Sequence, residues 1–171
     1  MGEEKDLIKE IESGDYDASD RPFDFVESDA ETALICEPDE NVRAQFNVAL
    51  TNMGYQTTVA ASAREALKGM RFHLFDVVIV NEKFDGGAQD RNDVLAYLET
   101  LAMSTRRQIF VALVSENHRT SDNMTAFHRS VNVVINVKHT ENLEVILRAA
   151  IADNNAFYRV MKESLQKVGK I

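Results

Sequence analysis

Cysteine is almost missing from this chain: Cys36 is the one thiol among 171 residues. That excludes an intrachain disulfide and a cysteine-built metal site, and its place in Ala33-Leu34-Ile35-Cys36 predicts a small buried core residue. No apolar run approaches the ~20 residues of a membrane span, and Met1-Gly2-Glu3-Glu4-Lys5-Asp6 lacks the basic and apolar parts of a signal peptide. A cytoplasmic location is therefore expected. There is no internal repeat, no low-complexity tract and only two prolines. No spacing among the four histidines resembles a metal motif. Gly86-Gly87 is isolated, so there is no glycine-rich phosphate loop, and no nucleophile stands beside a base. No enzyme activity, cofactor or resident metal is expected.

What is present is an uneven distribution of charge. Residues 1–31 hold twelve acids against three bases, the whole net charge of −9, leaving sixteen of each sign in the rest. An acidic arm repels nucleic acid and anionic membrane, so neither is expected as a partner. Within it, Leu7, Ile8 and Ile11 suit one short amphipathic turn, and Pro22-Phe23-Asp24-Phe25-Val26 offers aromatics for docking. Three divisions follow: an acidic arm over 1–31, one globular domain over 32–152, and a helical extension over 153–171.

Beyond the arm, strand-like runs alternate with helical patterns. Thr32 to Cys36, Tyr55 to Val59, Asp76 to Val80, Ile109 to Val114 and Val131 to Ile135 read as strands of a parallel sheet. Helices are expected over Asn41 to Met53, closed by Gly54, and over Ser62 to Met70, where Ser62 and Glu65 form a capping box. Two more are expected over Asn92 to Met103 and Arg119 to Arg129, the latter being the more polar.

Polar residues end four of these strands: Glu37-Pro38-Asp39 after the first, Asn81 after the third, Ser115 after the fourth and Asn136-Val137-Lys138-His139 after the fifth. With Gly54-Tyr55 and Ala60-Ala61-Ser62-Ala63-Arg64-Glu65-Ala66-Leu67, this order resembles the receiver domain of two-component response regulators over residues 31 to 150. The resemblance implies a doubly wound, flavodoxin-like (βα)5 fold with strand order 2-1-3-4-5. It also implies a site in which an acidic pair and a phosphoacceptor aspartate hold Mg²⁺ while a hydroxyl residue and a lysine bind the phosphoryl oxygens. By that pattern Glu37 and Pro38 match the acidic pair, Asn81 the acceptor, Ser115 the hydroxyl residue and Lys138 the lysine. A neutral amide cannot accept a phosphoryl group as aspartate does, and Pro38 removes a second charge. His139 follows the lysine in place of proline, Ile135 stands for the aromatic switch, and Phe84-Asp85-Gly86 replaces Met-Pro-Gly.

These departures describe a pseudo-receiver that works by protein interaction. The alternative is a switch in which Glu37, Asp39, Ser115 and Lys138 bind a small anion or metal, with Asp85 approaching from the opposite loop. Lys138 has a structural reading too, its ammonium held by the Asn81 amide oxygen or by Glu37.

From Glu141 to Val168 the helical pattern runs through roughly 28 residues, ~42 Å, past the expected end of such a domain near 152. Leu143, Leu147, Ala150, Asn154, Phe157, Met161, Ser164 and Val168 follow steps of three and four, a seam in which Asn154 is the polar register residue. Self-association through this helix, another protein partner, and packing on the same chain are the three readings.

Overall fold

The computed structural model describes residues 6–14, 29–86 and 92–170. Pro22 to Val26 and Gly87 lie outside them. Five strands form one parallel sheet in the order β2-β1-β3-β4-β5: β1 Thr32–Cys36, β2 Gln56–Val59, β3 Val77–Asn81, β4 Phe110–Ser115 and β5 Val133–Asn136. The helices are α1 Asp6–Ser13, α2 Glu40–Asn52, α3 Ala63–Phe72, α4 Asp93–Thr100, α5 Met103–Arg106, α6 Asn123–His128, α7 Leu143–Phe157 and α8 Arg159–Lys167. This is the doubly wound, flavodoxin-like arrangement expected.

The central strands are apolar between their ends because both faces of the sheet are covered. Alternate residues supply two cores. Leu34, Val78, Val80, Val111 and Leu113 meet Ala66 of α3, Val94 and Leu98 of α4 and Ala126 of α6 on one face. Ile35, Ile79, Ala112, Val114 and Ile135 meet Phe46 and Leu50 of α2 and Leu143 and Leu147 of α7 on the other. Cys36 is fully buried, and desolvation pushes its thiol pKa upward.

Short polar side chains start the helices. Asp39 accepts from the amides of Asn41 and Val42, Asn92 from Val94 and Leu95, and Asp122 from Met124 and Thr125. Ser62 accepts from the Glu65 amide while Glu65 Oε2 accepts from the Ala61 amide, a shifted version of the expected box. Gly54 follows α2 with φ +97°, where a side chain would be strained.

Three helices depart from expectation. The helix expected over Asn92 to Met103 stops at Thr100 and a second begins at Met103, because Leu101 is extended (φ −66°, ψ 141°) and packs against the cluster of Ile11, Leu67 and Tyr97. The polar fourth helix shrinks to Asn123–His128, since Ser121 takes φ 61° and Asp122 caps after it. The long C-terminal pattern opens with a 3-10 segment, Val137–Asn142, and divides at Tyr158.

α1 is more than one turn and belongs to the fold. Its Ile11 is buried against Leu67 of α3 and Tyr97 of α4, a contact worth roughly 1.5–3 kcal/mol. Glu10 takes both guanidinium nitrogens of Arg64, at 2.8 and 3.1 Å, and Arg71 donates to the carbonyls of Ile11 and Gly14.

Candidate functional site

The C-terminal ends of β1, β3, β4 and β5 meet at one pole of the sheet, where open α/β sheets place their ligand sites. Glu37 is buried there just past β1. Its Oε2 accepts from Asn81 Nδ2 at 2.8 Å and its Oε1 from the Asp39 amide at 2.9 Å. Burial pushes the Glu37 carboxyl pKa up, and those two hydrogen bonds pull the other way. The remaining Asn81 groups are also engaged: Oδ1 accepts from the Lys83 amide at 2.8 Å and the carbonyl from Asn92 Nδ2 at 2.9 Å.

Ser115, fully buried at the end of β4, donates to Glu82 Oε1 at 2.9 Å and accepts from the amides of Asn117 and His118 at 3.1 Å. The same Glu82 oxygen accepts from the Glu116 amide at 3.2 Å and from Asn117 Nδ2 at 3.4 Å. A carboxylate of the chain itself therefore occupies the donors around the end of β4. Lys83 reaches across to Glu116 at 2.5 Å, half exposed.

Asn136, not Lys138, pairs with Ser115 in the β4–β5 register and is buried. Its Nδ2 donates to the carbonyls of Glu116 (3.2 Å) and His118 (2.8 Å), and its Oδ1 accepts from the Lys138 amide. The Lys138 side chain is exposed on the 3-10 segment and bonds neither Asn81 nor Glu37.

The structure thus brings together Glu37, Asn81 and Ser115, leaves Pro38 exposed in the turn, and keeps Lys138 apart. Asp39 is spent capping α2. Asp85, at φ 57°, turns away and accepts from the Ala63 amide at 2.8 Å. Glu82, Asn136, Asn92 and Glu116 were not singled out from sequence. Asn136 could have been found by the same signal as Asn81, a polar residue ending an apolar run.

Magnesium, which the resemblance implies, does not fit these residues. Hard cations need several charged oxygens, whereas Glu37 faces an amide and a proline turn. Among the described residues no three His, Cys, Asp or Glu side chains are grouped to hold a metal ion. None of their buried side-chain oxygens or nitrogens lacks a hydrogen bond.

No protein-family model and no curated protein matches the chain. Solved structures do. A putative response regulator from Chloroflexus aurantiacus J-10-fl has TM-score 0.58 and 20% identity, covering 72% of this chain and 98% of that one. The fold is that of a response-regulator receiver. A CheY-like receiver domain protein from Methanospirillum hungatei JF-1 is similar at TM-score 0.56 and 16% identity, covering 74% of this chain and 98% of that one. NtrX from Brucella abortus, solved with ADP, has TM-score 0.59 and 18% identity over 82% of this chain, which spans only 30% of NtrX. At these identities the likeness concerns the receiver fold. Within it, Asn81 ends β3, Ser115 ends β4 and Asn136 ends β5.

The predicted seam of the last helix does not form one face. Leu147 is buried and Ala150 partly buried in the chain's own core. Asn154 Oδ1 accepts from Asn132 Nδ2 at 3.0 Å, so it pairs within the chain instead of setting a coiled-coil register. Past Tyr158 no residue of α8 is buried, Met161 is partly covered, and Phe157, Val160 and Val168 face solvent.

Proposed function

We propose that this protein is a phosphorylation-independent signalling or scaffold module that uses a receiver fold to bind other proteins. The observation carrying this reading is Glu82: its carboxylate holds the Ser115 hydroxyl and Glu116 amide, donors that an incoming anion would need. Asn81 supplies no carboxylate to accept a phosphoryl group, and its amide is committed to Glu37 and Lys83. The module is thereby held in a single arrangement of its loops. Its partners are proteins, met through exposed apolar side chains: Met124 and Phe127 on α6 beside β5, and Phe157, Val160 and Val168 at the C-terminal end.

An amide NMR titration of the ¹⁵N-labelled protein with Mg²⁺ and beryllofluoride tests the first half. Flat peaks are expected at Glu37, Asn81, Ser115 and Asn136. Saturable shifts there overturn the reading in favour of a switch operated by an anion or metal. Glu82→Ala is expected to move the Ser115 to His118 amides and cost about 1.5–3 kcal/mol, the worth of hydrogen bonds to a charged group.

For α8 we propose a second copy of the chain as partner. A nine-residue helix with no buried residue is marginal in water by itself, since isolated helices below about 12 residues rarely persist. Ending the chain at Tyr158 keeps the Asn132–Asn154 bond and removes α8. Sedimentation is expected to change from dimer to monomer with the urea midpoint nearly unchanged; an unaltered mass removes the dimer proposal.

A further inference from the structure

The opposite pole of the sheet, where β4 and β5 begin, carries an open groove of about 590 Å³. Leu98, Leu101, Met103, Ile109, Phe127 and Val131 line it with apolar surface. Arg106, the last residue of α5, is a charged group in this wall. Its Nη1 donates to the Ile109 carbonyl at 2.8 Å and its Nη2 to the Ser130 carbonyl at 2.7 Å, tying the start of β4 to the turn before β5. Two of five N–H donors are thus used, leaving three.

No carboxylate among the described residues forms an ion pair with Arg106. Glu99 lines the same groove without reaching it. Desolvation lowers the Arg106 pKa, and the Tyr158 phenol opposes this. A partly desolvated cation with spare donors beside apolar walls is half of an ion pair, with space for the other half to arrive.

We propose that this groove binds a small amphipathic carboxylate, an acyl or aryl acid, with its carboxylate on Arg106 and its apolar body along Leu101, Ile109 and Phe127. The volume falls within the roughly 300–1,000 Å³ of small-molecule sites. A protein partner would need a broader contact of about 800 Å² per side. A single negative charge fits best, because Glu99 repels anions and a dianionic phosphate costs more to desolvate. The site is about 20 Å from Ser115, six strand residues away; it is independent of the Ser115 pole but shares Phe127 with the surface proposed for protein partners.

Decanoate, kept below its micelle concentration, is the probe, followed by amide NMR on the full chain. Saturable shifts are expected at Ile109, Ala126, Val131 and Asn132, with 1-decanol and decyl phosphate each binding at least tenfold more weakly. Glu99 is exposed, so Glu99→Gln should fold normally and tighten decanoate binding severalfold, whereas Arg106→Met should weaken it at least tenfold. Arg106→Met also removes two structural hydrogen bonds, which makes Glu99→Gln and the decanol comparison the cleaner readouts. Absence of saturation, shifts centred on Phe157 and Val160 instead, equal binding of decanol or decyl phosphate, or no response to Glu99→Gln overturns the proposal.

Discussion

Asn81→Asp is expected to destabilise the protein by about 3 kcal/mol or more at pH 7.5, although it restores the residue type that a phosphoacceptor requires. The substitution replaces the donor that meets Glu37 Oε2 at 2.8 Å with a second carboxylate oxygen in a buried position. Two carboxylates at that distance cannot both remain ionised without a cation, and Lys138 is not there to supply one. The sign of the pH effect follows. The Glu37 carboxyl is already raised by burial, and a neighbouring carboxylate raises the pair further, so the folded variant retains a proton that the unfolded chain has released. Stability from that proton is fully present below the ordinary carboxylate range of about 4 and is lost as pH rises through the folded pair's higher value. Urea midpoints at pH 5 and pH 7.5 check this: the gap between variant and parent should be small at the lower pH and wide at the higher. Equal midpoints at both pH values would mean that the Glu37–Asn81 bond contributes nothing.

Asn136→Ala is expected to cost about 3 kcal/mol, while Lys138→Ala stays within about 0.5 kcal/mol of the parent. The Asn136 amide nitrogen satisfies the Glu116 and His118 carbonyls, and its oxygen receives the Lys138 amide. Removing it strands carbonyls at about 1–3 kcal/mol and loses a cap of about 1 kcal/mol. The ammonium of Lys138 lies in solvent and has little to lose. Thermal denaturation of the two variants side by side is the measurement. The reverse order would place the lysine, not the asparagine, at the structural end of β5.

That pair of residues also marks where reading from sequence stops. The strands were legible because burial on both faces leaves Ala33 to Cys36, Val77 to Val80 and Val111 to Val114 no polar alternative. Asn81 and Ser115 were legible for the complementary reason, being the first polar side chains where such runs end. Asn136 obeys the same rule, yet a lysine two residues later offers the more familiar chemistry. Only the pairing of Ser115 with Asn136 decides between them, and register is a property of two strands, not of one. Glu82 was hidden for a similar reason: nothing local says that its carboxylate folds back to a serine 33 residues away. The C-terminal stripe showed its period but not its occupant, because helical spacing cannot distinguish a partner's surface from Asn132 of the same chain. The break at Leu101 has no glycine or proline to announce it and follows from packing against α1.

The docking of α1 also sets the order in which the protein can be completed. Leu7, Ile8 and Ile11 are made well before the surface they cover, which is assembled from Leu67, Met70, Tyr97 and Leu101. About 90 further residues must be added before that surface exists, which takes about 5–18 s at 5–20 residues per second. During that interval α1 is an amphipathic segment without a berth, open to proteases and chaperones. Its final attachment reports that the chain through the first three strands and α4 has arrived.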